Sequence, residues 1–101
     1  MYCKVRIGAP TKEQANNISK TLVEKRLVAG TFISKGNCHY WWDNKVNEKA
    51  YWNTEAFSII KCKENIIEEV RKIHSDEVPI IAFNEIDGNT EFLKWIEDSL
   101  K

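Results

Sequence analysis

The side chains of this chain that are able to do chemistry are few and scattered. The densest group is His74-Ser75-Asp76-Glu77, which sets an imidazole and two carboxylates within four positions. Carboxylate oxygens and an imidazole nitrogen make a mixed donor set suited to divalent cations, Cu2+ among them. His74, Asp76 and Glu77 are therefore the candidate metal ligands. His74 also has a simpler role, closing a helix C-terminus, where an imidazole gains from the helix dipole. Cys3, Cys38, Cys62 and His39 are the other soft donors, and they stand far apart. No Cys-x-x-Cys or His-x-x-x-His spacing occurs. Cys38, His39 and His74 can meet only through folding or across a subunit boundary. No Gly-rich phosphate loop, no Gly-x-Ser-x-Gly and no Cys-His-Asp pattern points to catalysis. No enzymatic activity and no certain cofactor are expected.

Composition bounds the partners. Lys and Arg number 15, as do Asp and Glu, so the formal charge is zero. Proteins that bind nucleic acid or membrane surfaces usually carry a basic excess, so neither partner is expected. Neutrality also removes a barrier to self-association. There is no apolar run long enough to span a bilayer and no visible export signal, which makes a cytoplasmic location the expectation. Three cysteines at wide spacing do not form a disulfide framework, so the thiols are expected to be reduced.

These residues sit on a regular alternation of elements. Tyr2 to Gly8 alternates apolar and polar as a half-buried strand. Thr11 opens a helix, with Gln14 three residues on in a capping-box pattern. Ala15, Ile18 and Leu22 form that helix's buried stripe. Lys63 to His74 is a second helix with an Ile66, Ile67, Val70, Ile73 face, and Pro79 cannot continue it. Ile80 to Ile86 is a strand, and Asn89 or Thr90 caps a last helix.

Between the helices, Ala29 to Cys62 reads as one long β-hairpin turning at Asp43-Asn44, two residues that tolerate φ > 0. Gly36 suggests a bulge or bend in its first arm. Arms of roughly 15 residues extend ~45–50 Å at ~3.3 Å per residue. A compact domain of this length is only ~35 Å across. The hairpin overhangs its own domain, and its far end carries Tyr40, Trp41, Trp42 and Tyr51. The element order is β-α-β-β-α-β plus a C-terminal helix: a single α+β domain over 1–101, with a ferredoxin-like split β-α-β fold.

At His74 to Pro79 the chain resembles the CutA family of divalent-cation-tolerance proteins, whose pattern there is His-Pro-Tyr-Glu-Val-Pro-Glu. Supporting similarities follow in order: Ala9-Pro10, Leu22 to Ala29, Tyr40-Trp41-Trp42 with Lys45-Val46, Glu55 to Lys61, and Gly88-Asn89-Thr90 with Phe92 to Ile96. The resemblance implies a homotrimer whose long hairpins pair between subunits. It also implies a link to copper and other divalent-cation tolerance without an established reaction. It carries over His74, Glu77 and Pro79, together with Trp42 and Lys45, as residues of a cleft between subunits. The chain departs from the family at Gly30, where a Cys proposed as a copper ligand is usual, and at Ser75-Asp76 and Ile80. Two alternatives stand beside this reading: a small-ligand or nucleotide-sensing trimer like the PII proteins, and a structural anchoring module.

Overall fold

The computed structural model describes residues 1–101. Strand β1 (Tyr2–Ala9) leads to helix α1 (Lys12–Glu24), and β2 (Gly30–Trp42) returns as β3 (Lys45–Ile59). A single 3-10 turn, Ile60–Cys62, feeds α2 (Lys63–Ile73), followed by β4 (Ile80–Glu85) and α3 (Thr90–Ser99). The sheet is antiparallel throughout, in the order β2-β3-β1-β4. This is the ferredoxin-like α+β arrangement expected from the element order.

Strand parity divides the sheet into two faces. Cys3, Val5 and Ile7 of β1 and Thr54, Ala56 and Ser58 of β3 point one way and are all buried. Ala15, Ile18 and Leu22 of α1 and Ile66 and Val70 of α2 cover them, forming one core. Residues of opposite parity, Gly30 and Phe57, lie under α3: Phe92 meets Phe57 edge-on at 5.2 Å and stacks on Trp95 at 6.0 Å. A Cβ on Gly30 would come within 2.8 Å of the Trp95 ring, so the indole lying against this position leaves room for no side chain.

Helix ends follow their local chemistry. Thr11 Oγ1 accepts the Gln14 backbone N–H at 3.1 Å. The Gln14 side chain does not complete the capping box; it is spent on the segment after α2. Arg26, at φ 56°, takes the left-handed conformation that closes α1. Asn89 occupies the N-cap of α3 without a side-chain hydrogen bond.

The hairpin turns at Asp43 and Asn44, with φ of 56° and 59°, as a type I′ turn requires. Its register is unbroken from Gly30↔Phe57 to Trp42↔Lys45. Gly36 therefore makes no bulge. It pairs with Tyr51 in step, and no atom lies within 4 Å of where its Cβ would be. The strand stops at Ile59 rather than running on to Cys62. β1 pairs with β3 only from Trp52 onward, so Gly36 to Tyr51 is a two-stranded ribbon beyond the sheet. The molecule measures 44 × 24 × 21 Å, the long axis reflecting that overhang.

Candidate functional site

A cleft of about 500 Å³ lies where the ribbon leaves the sheet. One wall is the ribbon, with Cys38, Tyr40, Trp41, Trp42, Lys49 and Tyr51; the other is Ser75 to Val78 with Ile80. Four long-range hydrogen bonds and one local one set the walls. His74 Nε2 lies 2.5 Å from the Gly8 carbonyl, and His74 Nδ1 accepts the Asp76 backbone N–H at 3.1 Å. A carbonyl can only accept, so the ring proton sits on Nε2. Gln14 brackets Ser75, its Nε2 donating to Ser75 Oγ at 2.8 Å and its Oε1 accepting the Ser75 N–H at 3.1 Å. Tyr51 donates its hydroxyl to the Asp76 carboxylate, tying the ribbon to the segment. Burial pushes the Tyr51 phenol well above its ordinary value near 10, and the bond to Asp76 adds to the shift.

Gly8 completes the arrangement. A Cβ there would stand 2.9 Å from the Tyr51 ring and 3.0 Å from Ile80 Cδ1. The glycine is a space requirement: only a bare backbone lets the phenol ring lie flat across the end of β1. Lys49 reaches over the same ring at 4.9 Å and over Tyr40 at 5.6 Å.

The expected ligand set is not assembled within the chain. His74 turns away from the cleft, and both of its ring nitrogens are engaged in hydrogen bonds. Asp76 and Glu77 do face the cleft, but no three His, Cys, Asp or Glu side chains gather anywhere in the protein. The donors of one chain thus do not fit a divalent cation. His74 stands at the C-cap position of α2, where its backbone N–H reaches the Val70 carbonyl, while its ring bonds Gly8 and Asp76 rather than the last carbonyls of the helix. Cys38 lines the cleft, whereas His39, one residue on, faces the other side of the ribbon and pairs with Glu48 at 3.4 Å. Trp42 is a cleft wall; Lys45, its partner across the turn, is exposed and outside the cleft. Pro79 stands half-buried between Val78 and Ile80 and delivers the chain into β4.

Sequence reasoning missed Gly8, Gln14 and Lys49, and it noted Tyr51 only as an aromatic. Gly8, Gln14 and Tyr51 act through partners distant in the chain, whereas Lys49 meets Tyr51 two residues on and Tyr40 across the hairpin. The one local signal was Gly8 near the end of an otherwise side-chain-rich strand.

A family model for the CutA1 divalent ion tolerance protein matches residues 3–99. The chain belongs to the CutA1 family. The divalent-cation tolerance protein CutA of Pyrococcus horikoshii is 31% identical over 97 residues, 91% of each chain. That of Archaeoglobus fulgidus is 32% identical over 106 aligned positions spanning both chains. Among solved structures, the periplasmic CutA of Archaeoglobus fulgidus superposes over both full chains with a TM-score of 0.97 at 29% identity. The CutA1 of Thermus thermophilus does so at 0.95 and 30%. The CutA1 likeness thus covers the whole fold, ribbon included.

Proposed function

We propose that this CutA1-family chain serves divalent-cation tolerance, copper included, as a non-enzymatic homotrimer in the reducing cytoplasm. The observation that carries the assembly is the ribbon. From Gly36 to Tyr51 it has no sheet beside it, and its tip leaves Trp41 74% and Val46 60% exposed. A lone two-stranded ribbon is marginal in water, and its unpaired edges invite strand addition. Closing a ring satisfies both without open-ended growth. The three free thiols support a reducing compartment.

Because the donors of one chain do not fit a cation, binding of metal is weak and confined to the clefts that assembly forms, with Glu77 the free carboxylate. Light scattering should give three times the 11.8 kDa chain mass, and Trp42→Glu should lower it before secondary structure is lost. A well-folded monomer overturns the trimer. Calorimetry on reduced protein should give at most micromolar copper binding, and nanomolar or tighter binding overturns the weak-site reading.

A second reading, a small-ligand-sensing trimer, is favoured by the cleft itself, whose volume suits a small molecule. The tight Asp43-Asn44 turn counts against a PII-like mobile loop. Thermal shifts on nucleotide titration distinguish the two.

A further inference from the structure

We propose that Asp87 is a site of spontaneous backbone rearrangement, in which the Gly88 nitrogen closes on the Asp87 side chain and the resulting ring reopens as isoaspartate.

Gly88 is the one glycine of the chain that follows an Asp or Asn. The fold needs a glycine there, since a Cβ would stand 3.1 Å from Phe92 Cδ2. The bare residue leaves its nitrogen unshielded, and its N–H donates to Asp87 Oδ1 at 2.8 Å. Nucleophile and carboxyl group are thus already held side by side, an arrangement that turns proximity into rate. Asp87 and Gly88 are both exposed and lie between β4 and α3, outside either element. Neither is held by a backbone–backbone hydrogen bond. The other aspartates lack this combination. Asp43 is fixed in the hairpin turn ahead of Asn44. Asp76 engages its carboxylate with Tyr51 and precedes Glu77. Asp98 lies in α3 and pairs with Lys94 and Lys101.

The reaction needs only the chain and water. The Gly88 nitrogen gives up its proton and bonds to Asp87 Cγ, and the hydroxyl of the protonated carboxyl leaves with that proton as water. A five-membered succinimide results. Water then adds back to one of its two carbonyls. Attack at Cγ restores aspartate. Attack at the backbone carbonyl carbon breaks the original link to Gly88 and leaves the chain joined through the Asp87 side chain.

The rearranged link adds one methylene to the backbone where β4 hands over to α3. That helix is seated on the sheet by Phe92 against Phe57 and by Trp95 against Gly30, so the modified chain holds it less firmly. Register sets the site apart from the ribbon. Glu85 pairs with Cys3 and the Ile86 N–H bonds the Tyr2 carbonyl, at the end of the sheet opposite Ala9↔Trp52, where the ribbon leaves. Nothing in the reaction involves the cleft, the ribbon tip or a metal.

The test incubates the full chain, in its native assembly, in heavy-oxygen water at physiological temperature and mildly acidic pH. Peptide mapping with electron-transfer fragmentation is the readout. The peptide carrying Asp87 should take up heavy oxygen progressively and show isoaspartate at that residue, ahead of the Asp43, Asp76 and Asp98 peptides. Asp87→Ser should abolish the signal. Gly88→Ala should slow it about tenfold, because a side chain on the attacking residue hinders ring closure. Aged wild type should melt below fresh protein, and aged Asp87→Ser should not. No isoaspartate at Asp87 in the assembled protein would overturn the proposal, as would equal accumulation at Asp98 or an unslowed rate in Gly88→Ala. An unchanged melt after extensive isomerisation would overturn the loosening of α3.

Discussion

The Tyr51 hydroxyl donates to the Asp76 carboxylate, and this is the side-chain hydrogen bond that ties the overhanging ribbon to the segment after α2. Everything near the cleft depends on it. The ring below the hydroxyl occupies the space Gly8 leaves open, and the carboxylate above it belongs to the residue whose N–H holds His74.

That bond makes stability sensitive to alkali. The folded protein holds Tyr51 protonated above its ordinary value near 10, so its contribution is complete below that pH. As pH rises past about 10 the unfolded chain gives up the proton first, and stability falls. Thermal melts from pH 8 to 11 should show this decline, and Tyr51→Phe should flatten it. Near neutrality, Tyr51→Phe should cost about 1 kcal/mol for the lost hydrogen bond. An unchanged alkaline slope in the variant would place the sensitivity elsewhere.

Gly8→Ala should destabilise the protein by about 1–3 kcal/mol, because the added methyl must push the Tyr51 ring or Ile80 aside. Denaturant titration measures the cost. Combining Gly8→Ala with Tyr51→Leu should recover part of it, since the two residues share one space.

His74→Ala removes the ring from both the Gly8 carbonyl and the Asp76 N–H at once, for about 1–3 kcal/mol. Glu77→Ala, three residues on, should stay within about 0.5 kcal/mol of wild type, as for other exposed side chains. Equal effects of the two substitutions in chemical denaturation would contradict the division of roles.

Thr54→Val tests the core. The Thr54 hydroxyl is fully buried and has no hydrogen-bond partner. Replacing it with a methyl of the same shape should raise stability by about 1 kcal/mol. A lower denaturation midpoint would reveal a partner for the hydroxyl, such as a buried water.

What was legible in the sequence was the periodic part. Alternation in Tyr2 to Gly8 marks β1, the Ile66-Val70 spacing marks α2, and Asp43-Asn44 between aromatic and β-branched runs marks the turn. The role of His74 as a helix terminus was legible for the same reason, since position in a local element decides it. The cleft was not, because Gln14 meets Ser75 and Tyr51 meets Asp76 across long stretches of chain that no local pattern encodes. Gly36 misled in the other direction. A glycine in a strand suggests a bulge, but here it lies in the ribbon, where no neighbouring side chain fixes the residue.

The unbroken ladder from the turn to Gly30 has a kinetic consequence. Its pairs are the most local in the sheet, so the hairpin can zip from Asp43-Asn44 on a microsecond timescale. β1 must instead close on β3 across α1 and β2, and β4 joins only after α2 is made. During synthesis the ribbon thus exists before the sheet that anchors it, with Trp41 and Val46 bare. In the proposed trimer, covering that tip is a collision between finished chains. Refolding should then end in a phase whose rate rises with protein concentration, and chaperone demand should be concentrated in the interval before subunits meet.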